Sequence, residues 1–151
     1  MNFCNSFCLN NKYSTTRVIT KEQPRIENDP SSKVQTQLFL PAHPLRQGEG
    51  GLRTKSYFKK SFEEKPLVSV ITVVLNGHEH VERTIQSVLN QSYDNVEYIV
   101  VDVVSTDGTL DFIRKYEYSI DYWVSDQDKG AYESMNKGID LATGGSIGIL
   151  N

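Results

Sequence analysis

Acidic and amide side chains follow the apolar runs in the second half of this 151-residue chain. Asp102 ends the run VEYIVVD, Asn76 follows LVSVITVVL, Asp126 and Asp128 follow IDYWVS, and Asn151 follows SIGIL. A carboxylate among valines costs free energy unless a partner satisfies it. Carboxylates accept hydrogen bonds from a ring N–H, such as that of uracil, or from sugar hydroxyls, at roughly 1.5–3 kcal/mol for each charge-assisted bond. These positions therefore indicate a site for a ligand that carries donors.

The apolar runs alternate with amphipathic segments, which indicates how these side chains are positioned. LVSVITVVL, VEYIVV, IDYWVS and SIGIL are rich in β-branched residues and predict strands, and the segments between them have helical spacing. Asn76 with Glu79 matches a capping box, so the first helix is expected to start there. The order predicts an α/β fold with a parallel sheet, right-handed crossovers and helices on both faces. Ligands of such sheets bind beyond the carboxyl ends of the strands, so Asp102 is expected to project into an open crevice at that rim.

Residues 1–65 lack this periodicity and predict an irregular, partly disordered leader, followed by a domain at 66–151. The leader carries 11 Lys and Arg against 6 Asp and Glu, whereas the remainder carries 5 against 13. The acidic half is not expected to bind nucleic acid. No apolar run approaches the roughly 18 residues of a membrane span, and the N-terminus does not resemble a signal peptide. We therefore expect no membrane span and a cytoplasmic location.

Common phosphate-binding and metal-binding motifs are absent from the sequence. The segment LNGHEHVE has one glycine, so it matches neither the dinucleotide fingerprint nor the P-loop. His78 and His80 diverge on a helix, which disfavours a shared metal ion. Lys129 and Lys137 are candidates to neutralise a phosphate, although a single lysine is more often solvated surface.

Several ordered segments resemble one family: KPLVSVITVVLNG, TIQSVLNQSYDNVEYIVVD, STDGT, YWVSDQDKGAYESMNKGIDLATG and IGILN. Over about residues 65–151 the chain resembles the amino-terminal half of a family 2 glycosyltransferase. The resemblance implies a Rossmann-like GT-A fold and a nucleotide-sugar donor, often UDP-linked. It also implies transfer to an acceptor hydroxyl, usually with inversion; the acceptor is not identified, and a glycan is one candidate.

The resemblance also implies roles for individual residues. Asp102 would accept from the base of the donor, and Val73, Leu75 and Asn76 would line the base and ribose. The diphosphate and sugar would lie along Asp128, Lys129, Asn136 and Lys137. For Asn136, helix polarity without any ligand contact is an equally good interpretation.

The chain departs from the family pattern in three places. Leu75 stands where members commonly have an aromatic residue. Val103 and Val104 stand where members often have Gly-Gly; left-handed backbone there would cost valine on the order of 1–2 kcal/mol per residue. Alternatively, the strand continues and Asp102 turns away from the ligand. The third departure is that the Asp-x-Asp element for Mg²⁺ or Mn²⁺ and the catalytic base are expected beyond Asn151.

We therefore expect the chain to contain no catalytic residue and no metal site, and to be inactive alone. The alternative is a non-catalytic remnant or an interaction module whose exposed strand edges pair with a partner. A receiver-like signalling domain is a weaker alternative, because it requires an acidic pair soon after the first strand.

Overall fold

The computed structural model describes residues 5–150, in which a five-stranded mixed sheet carries helices on both faces. The strands are β1 Ser6–Phe7, β2 Ile19–Thr20, β3 Gly48–Gly50, β4 Val68–Val74, β5 Val96–Asp102, β6 Tyr122–Ser125 and β7 Ser146–Ile149. The α-helices are α1 Val81–Leu89, α2 Thr109–Lys115 and α3 Ala131–Leu141, with 3₁₀ turns at Leu52–Lys55 and Glu117–Ser119. The main sheet has the order β3-β6-β5-β4-β7, and β1 pairs with β2 separately.

Strands β4, β5, β6 and β7 are parallel, which confirms the predicted parallel α/β fold. All seven residues of β5 are buried, as expected for a central strand that is covered on both faces. The register pairs Val74 with Asp102 and Asp102 with Ser125, so β4, β5 and β6 end at the same rim of the sheet.

The two faces of the sheet bury different helices. Helices α1 and α2 cover the face that presents Tyr98 and Trp123, whereas α3 covers the face that presents Ile71 and Ile99. Helix α3 lies so close to β4 at Gly138 that a Cβ atom on this residue would be 2.4 Å from Ile71 Cγ2. Glycine is therefore required for this helix-to-strand distance.

Helix α1 begins later than the sequence predicts. His80 is its N-cap and Val81 its first residue, so the capping box expected from Asn76 and Glu79 is wrong. Asn76 instead adopts a left-handed backbone with φ 50°, and its Oδ1 accepts from the Thr106 amide at 2.8 Å. The amide side chain therefore joins the ends of two neighbouring strands rather than capping the helix.

The leader contains regular structure that the sequence does not predict: the short strands β1 and β2, and a segment between residues 48 and 59 that pairs with the main sheet. Strand β3 pairs antiparallel with β6, and the Leu52 and Arg53 amides donate to the carbonyls of Ile120 and Asp121. Sequence patterning missed β3 because two of its three residues are glycine, which has a low strand propensity. The boundary between leader and domain at 65/66 stays a prediction.

Two buried ion pairs, here called the amino-end pairs, attach the leader near the amino ends of β5 and β6. Arg53 Nη2 lies 2.5 Å from Glu97 Oε1, and Lys59 Nζ lies 2.6 Å from Asp121 Oδ1. All four side chains are only 1–2% exposed. The leader is thus bonded to the domain through charges that solvent does not reach.

Within residues 5–150, no helix combines the length and the apolar character needed to cross a bilayer.

Candidate functional site

Asp102 lies at the carboxyl-end rim, but its carboxylate is turned into the protein. The residue is fully buried. Its Oδ2 accepts from the Ser105 amide at 3.0 Å and from Ser125 Oγ at 2.7 Å, and its Oδ1 accepts from Ser105 Oγ. The expectation that Asp102 projects into an open crevice is therefore wrong. Ser105 and Ser125 satisfy the acid that the sequence left without a partner.

Ser105 also connects Asp102 to the end of β4. Its Oγ accepts a hydrogen bond from the backbone N–H of Asn76 at 2.8 Å and donates one to the Asp102 carboxylate. The structure therefore brings Asn76 and Asp102 together through a serine that the sequence analysis did not select. A hydroxyl three residues after an isolated strand-end carboxylate was the signal that could have identified it.

Backbone strain accompanies this turn. Val104 has φ 48°, a left-handed conformation that β-branched side chains resist. Strand β5 ends at Asp102, and Val104 but not Val103 has a positive φ. One of the two positions at which a Gly-Gly pair was expected is thus left-handed here, and valine occupies it at a cost.

The remaining residues predicted around the base differ in accessibility. Leu75 is 60% exposed just beyond β4, whereas Val73 is half-buried within the strand. Leu75 is therefore available to a ligand, but it offers an aliphatic contact in place of aromatic stacking.

The loop between β6 and α3 carries two acids that pair with cations from the leader and from α3. These are here called the cleft pairs: Arg46 with Asp126, and Lys137 with Asp128. Arg46 Nε and Nη2 lie 2.8 and 3.2 Å from the two oxygens of Asp126. Lys137 Nζ contacts Asp128 Oδ1 and also lies 3.0 Å from Asp126 Oδ2. Ser134 Oγ donates to Asp128 Oδ2 at 2.6 Å, which fixes that carboxylate against the start of α3.

The pKa shifts in the cleft pairs favour the ionised forms. Burial opposes ionisation of Asp126, but hydrogen bonds from Arg46 and Lys137 outweigh it and lower the pKa of the carboxyl. Burial also opposes the charge on Lys137, but the two carboxylates raise the pKa of its ammonium. Asp126 and Lys137 are therefore ionised at neutral pH.

A cleft of about 260 Å³ adjoins these charges. Its walls include Leu40, Pro41 and His43 from the leader, and Asp128, Glu133 and Lys137 from the domain. Lys137 retains 23% exposure, so its ammonium is accessible from solvent. The arrangement can present a positive group to an anion while apolar leader residues contact the rest of the ligand.

The structure brings Asp128 and Lys137 together, whereas the neighbouring Lys129 and Asn136 do not join this pair. Lys129 and Asn136 are exposed, and the Lys129 amide donates to Glu133 Oε2 at 2.7 Å. Asp126, which follows β6 directly, joins this group to the first through a bond from its amide to the Asp102 carbonyl at 3.1 Å. Arg46 was missed because nothing in its local sequence indicates its pairing with Asp126.

The residues that the structure describes do not fit a metal site. Among residues 5–150, no three His, Cys, Asp or Glu side chains are grouped so that they could hold a metal ion. Asp126 and Asp128 instead bind cationic side chains. Asn151, and the metal element and base expected after it, lie outside the described residues and stay predictions.

Known proteins share this part of the fold and sequence. The chain is 41% identical over 91 residues to TuaG of Bacillus subtilis, a glycosyltransferase named for teichuronic acid biosynthesis, covering 58% of this chain and 36% of TuaG. It is 32% identical to the glycosyltransferase AglE of Haloferax volcanii, covering 57% of this chain and 30% of AglE. The chain thus spans about a third of the length of these relatives.

A solved structure has the same Rossmann-like GT-A architecture. The mannosyltransferase PcManGT of Pyrobaculum calidifontis, in complex with GDP-Man and Mn²⁺, superposes with a TM-score of 0.50 at 27% identity. The superposition covers 55% of this chain and 26% of that one. The model of the family described as "Glycosyl transferase family 2" matches residues 69–151, more than half of the sequence. The chain therefore belongs to glycosyl transferase family 2.

Proposed function

We propose that this chain binds a nucleoside diphosphate sugar at the carboxyl-end rim, as the donor-binding part of an enzyme that transfers the sugar to an acceptor hydroxyl. One observation carries the proposal: a family 2 chain holds the Lys137 ammonium between two carboxylates on the wall of an open cleft. A cation fixed in this way, yet 23% exposed, is suited to a phosphate oxygen.

The two groups of rim residues take different parts in this proposal. Leu75 and Asn76 contact the base and ribose, with Val73 behind them. Asp102 is given no direct contact with the base, because its buried carboxylate accepts from Ser105 and Ser125. It holds Ser105, whose hydroxyl accepts from the backbone N–H of Asn76 behind this part of the site. The diphosphate and sugar face Asp128, Lys129, Asn136 and Lys137.

The donor proposed here carries uridine, as the family resemblance implies. The solved mannosyltransferase binds GDP-Man, so guanosine is the direct competitor. The acceptor is proposed to be a hydroxyl compound such as a glycan. The cytoplasm is proposed as the location, since the proposed substrate is a nucleotide sugar.

Titration of the full chain with UDP and GDP by isothermal calorimetry tests this proposal. We expect millimolar or tighter binding of UDP, with Lys137→Met weakening it about tenfold through loss of one charge-assisted contact. Lys33→Met, an exposed lysine of the leader, is the matched control and should leave binding unchanged. A wild-type chain that binds neither nucleotide at millimolar concentration contradicts the proposal.

The second candidate is a non-catalytic interaction module, which the edge strand β7 favours. All four residues of β7 are exposed, and Ile147 and Ile149 each expose more than two fifths of their surface. An edge strand with exposed aliphatic side chains can pair with a strand of a partner. The same titration separates the two candidates, since a module of this kind requires no nucleotide binding.

A further inference from the structure

Arg46 is a leader cation on the wall of the candidate donor cleft. Strand β3 pairs Gly48 with Ser125, and the Gln47 amide donates to the Ser125 carbonyl at 2.8 Å. This antiparallel register places the residues before β3 beside those after β6. Arg46 therefore faces Asp126 because of strand pairing, although 80 positions separate them in sequence.

The contact between Arg46 and Asp126 is fixed on both sides. Two guanidinium nitrogens meet two carboxylate oxygens, a geometry that arginine forms and lysine does not. A further bond runs from Arg46 Nη2 to the Pro41 carbonyl at 2.9 Å, and Glu49 lies 3.5 Å from Nη1. Both side chains of the pair are less than a tenth exposed.

The charge balance of the cleft depends on this pair. Asp126 and Asp128 contribute two negative charges, and Lys137 and Arg46 contribute two positive charges. Without Arg46 the other three groups carry one net negative charge. Glu133 lies on the cleft wall in both cases, so the loss of Arg46 changes the total from one negative charge to two. An approaching phosphate would then be repelled, and Lys137 would be held more strongly by the two carboxylates.

We propose that Arg46 is a positioning residue of the donor cleft, which holds and neutralises Asp126 so that the Lys137 ammonium remains available to a phosphate oxygen. This inference rests on the proposed function and extends the site to the leader. Arg46 acts through Asp126 and Lys137 and is not assigned a contact with the donor.

Two measurements on the full chain test this role. The first is the Kd for UDP of Arg46→Met and Arg46→Lys; we expect about a tenfold loss for methionine and partial recovery for lysine, which restores the charge but not the fork. The second is the pKa of the Asp126 carboxyl, followed by ¹³C NMR without nucleotide, which should rise in Arg46→Met. Arg25→Met, an exposed leader arginine, is the matched control and should change neither quantity.

A double variant separates positioning from general structural support. Arg46→Met combined with Asp126→Asn removes both charges of the pair, so UDP binding should be tighter than in Arg46→Met alone. A double variant that binds as weakly as Arg46→Met contradicts the charge argument.

The remaining outcomes are distinct from one another. Folded Arg46→Met that binds UDP like wild type, with an unchanged Asp126 pKa, overturns the role of Arg46 and leaves the proposed function intact. A wild-type chain that binds no nucleotide contradicts the proposed function, and the NMR titration then shows separately whether Arg46 controls Asp126.

Discussion

The amino-end pairs and the cleft pairs use the same chemistry at opposite ends of the parallel strands. In both places, leader cations meet acids of the domain: Arg53 and Lys59 at the amino ends, and Arg46 at the carboxyl ends. The amino-end side chains are 1–2% exposed, whereas Lys137 in the cleft pairs is 23% exposed. The other members of the cleft pairs are less than a tenth exposed, so the accessibility of the single Lys137 ammonium distinguishes the candidate site from a structural cluster.

The acids of the two groups also differ in how their surroundings shift the pKa of each carboxyl. Burial opposes ionisation of Glu97, but Arg53 and hydrogen bonds from Ser69 and Thr143 outweigh it, so its pKa is lowered. Burial raises the pKa of Asp121, and Lys59 does not fully compensate. The amino-end pairs therefore contain one fully compensated acid and one that is not, whereas Asp126 in the cleft is held ionised by two cations.

The largest expected effect comes from breaking an amino-end pair. Arg53→Met leaves Glu97 buried without its guanidinium partner, and it also removes bonds to the Leu38 and Leu141 carbonyls. We expect the free energy of unfolding to fall by about 3–5 kcal/mol, as measured by urea denaturation.

The control for this change is Arg25→Met. Arg25 pairs with Glu27 at 3.1 Å, but these side chains are 88% and 75% exposed. An exposed pair contributes about 0–1 kcal/mol, so the control should remain near wild type. Similar losses in the two variants would show that the amino-end pair is not a special structural contact.

An intermediate effect is expected at the cleft pairs. Asp126→Asn weakens two charge-assisted contacts, but Arg46 retains the Pro41 carbonyl and Lys137 retains Asp128 and solvent. The free energy of unfolding should fall by about 1.5–3 kcal/mol, less than for Arg53→Met, in the same urea experiment. A cost equal to or above that of Arg53→Met would remove the distinction drawn between the two ends of the strands.

The smallest effect is a gain in stability at the rim. Val104→Gly relieves the left-handed valine at φ 48°, and after the entropic cost of glycine we expect a gain of about 1 kcal/mol in thermal or urea unfolding. Val103→Gly is the matched control, because that residue has no positive φ and should lose stability. A loss at both positions would mean that the turn imposes no strain on Val104.

The regular parts of the fold could be predicted from sequence, whereas the pairing of charges could not. The apolar, β-branched run at 67–75 predicted β4 nearly to its ends, because local composition determines a buried strand. Strand β3 escaped prediction because its pairing with β6 is long-range and its residues are mostly glycine.

The same contrast applies to the site. Strand order placed Asp102, Asp126 and Asp128 at one rim, since parallel strands end together. It could not show that Ser105 and Ser125 donate hydrogen bonds to the Asp102 carboxylate, because the direction of a side chain has no local sequence pattern. Nor could it show that Arg46 pairs with Asp126, because contacts distant in sequence have no local pattern either. The capping box predicted at Asn76 was wrong for a related reason: an asparagine at a strand end suits a left-handed turn as well as a helix cap.

Gly138 determines more than how closely a helix packs. Gly138 follows Lys137 directly in α3. The distance between α3 and Ile71 therefore also determines where the Lys137 ammonium lies relative to Asp126 and Asp128. A methyl group at this position would lift the helix off the strand and carry the lysine backbone with it. The spacing of charges at the ligand-facing surface therefore depends on the absence of a side chain at the next, buried position of the same helical turn.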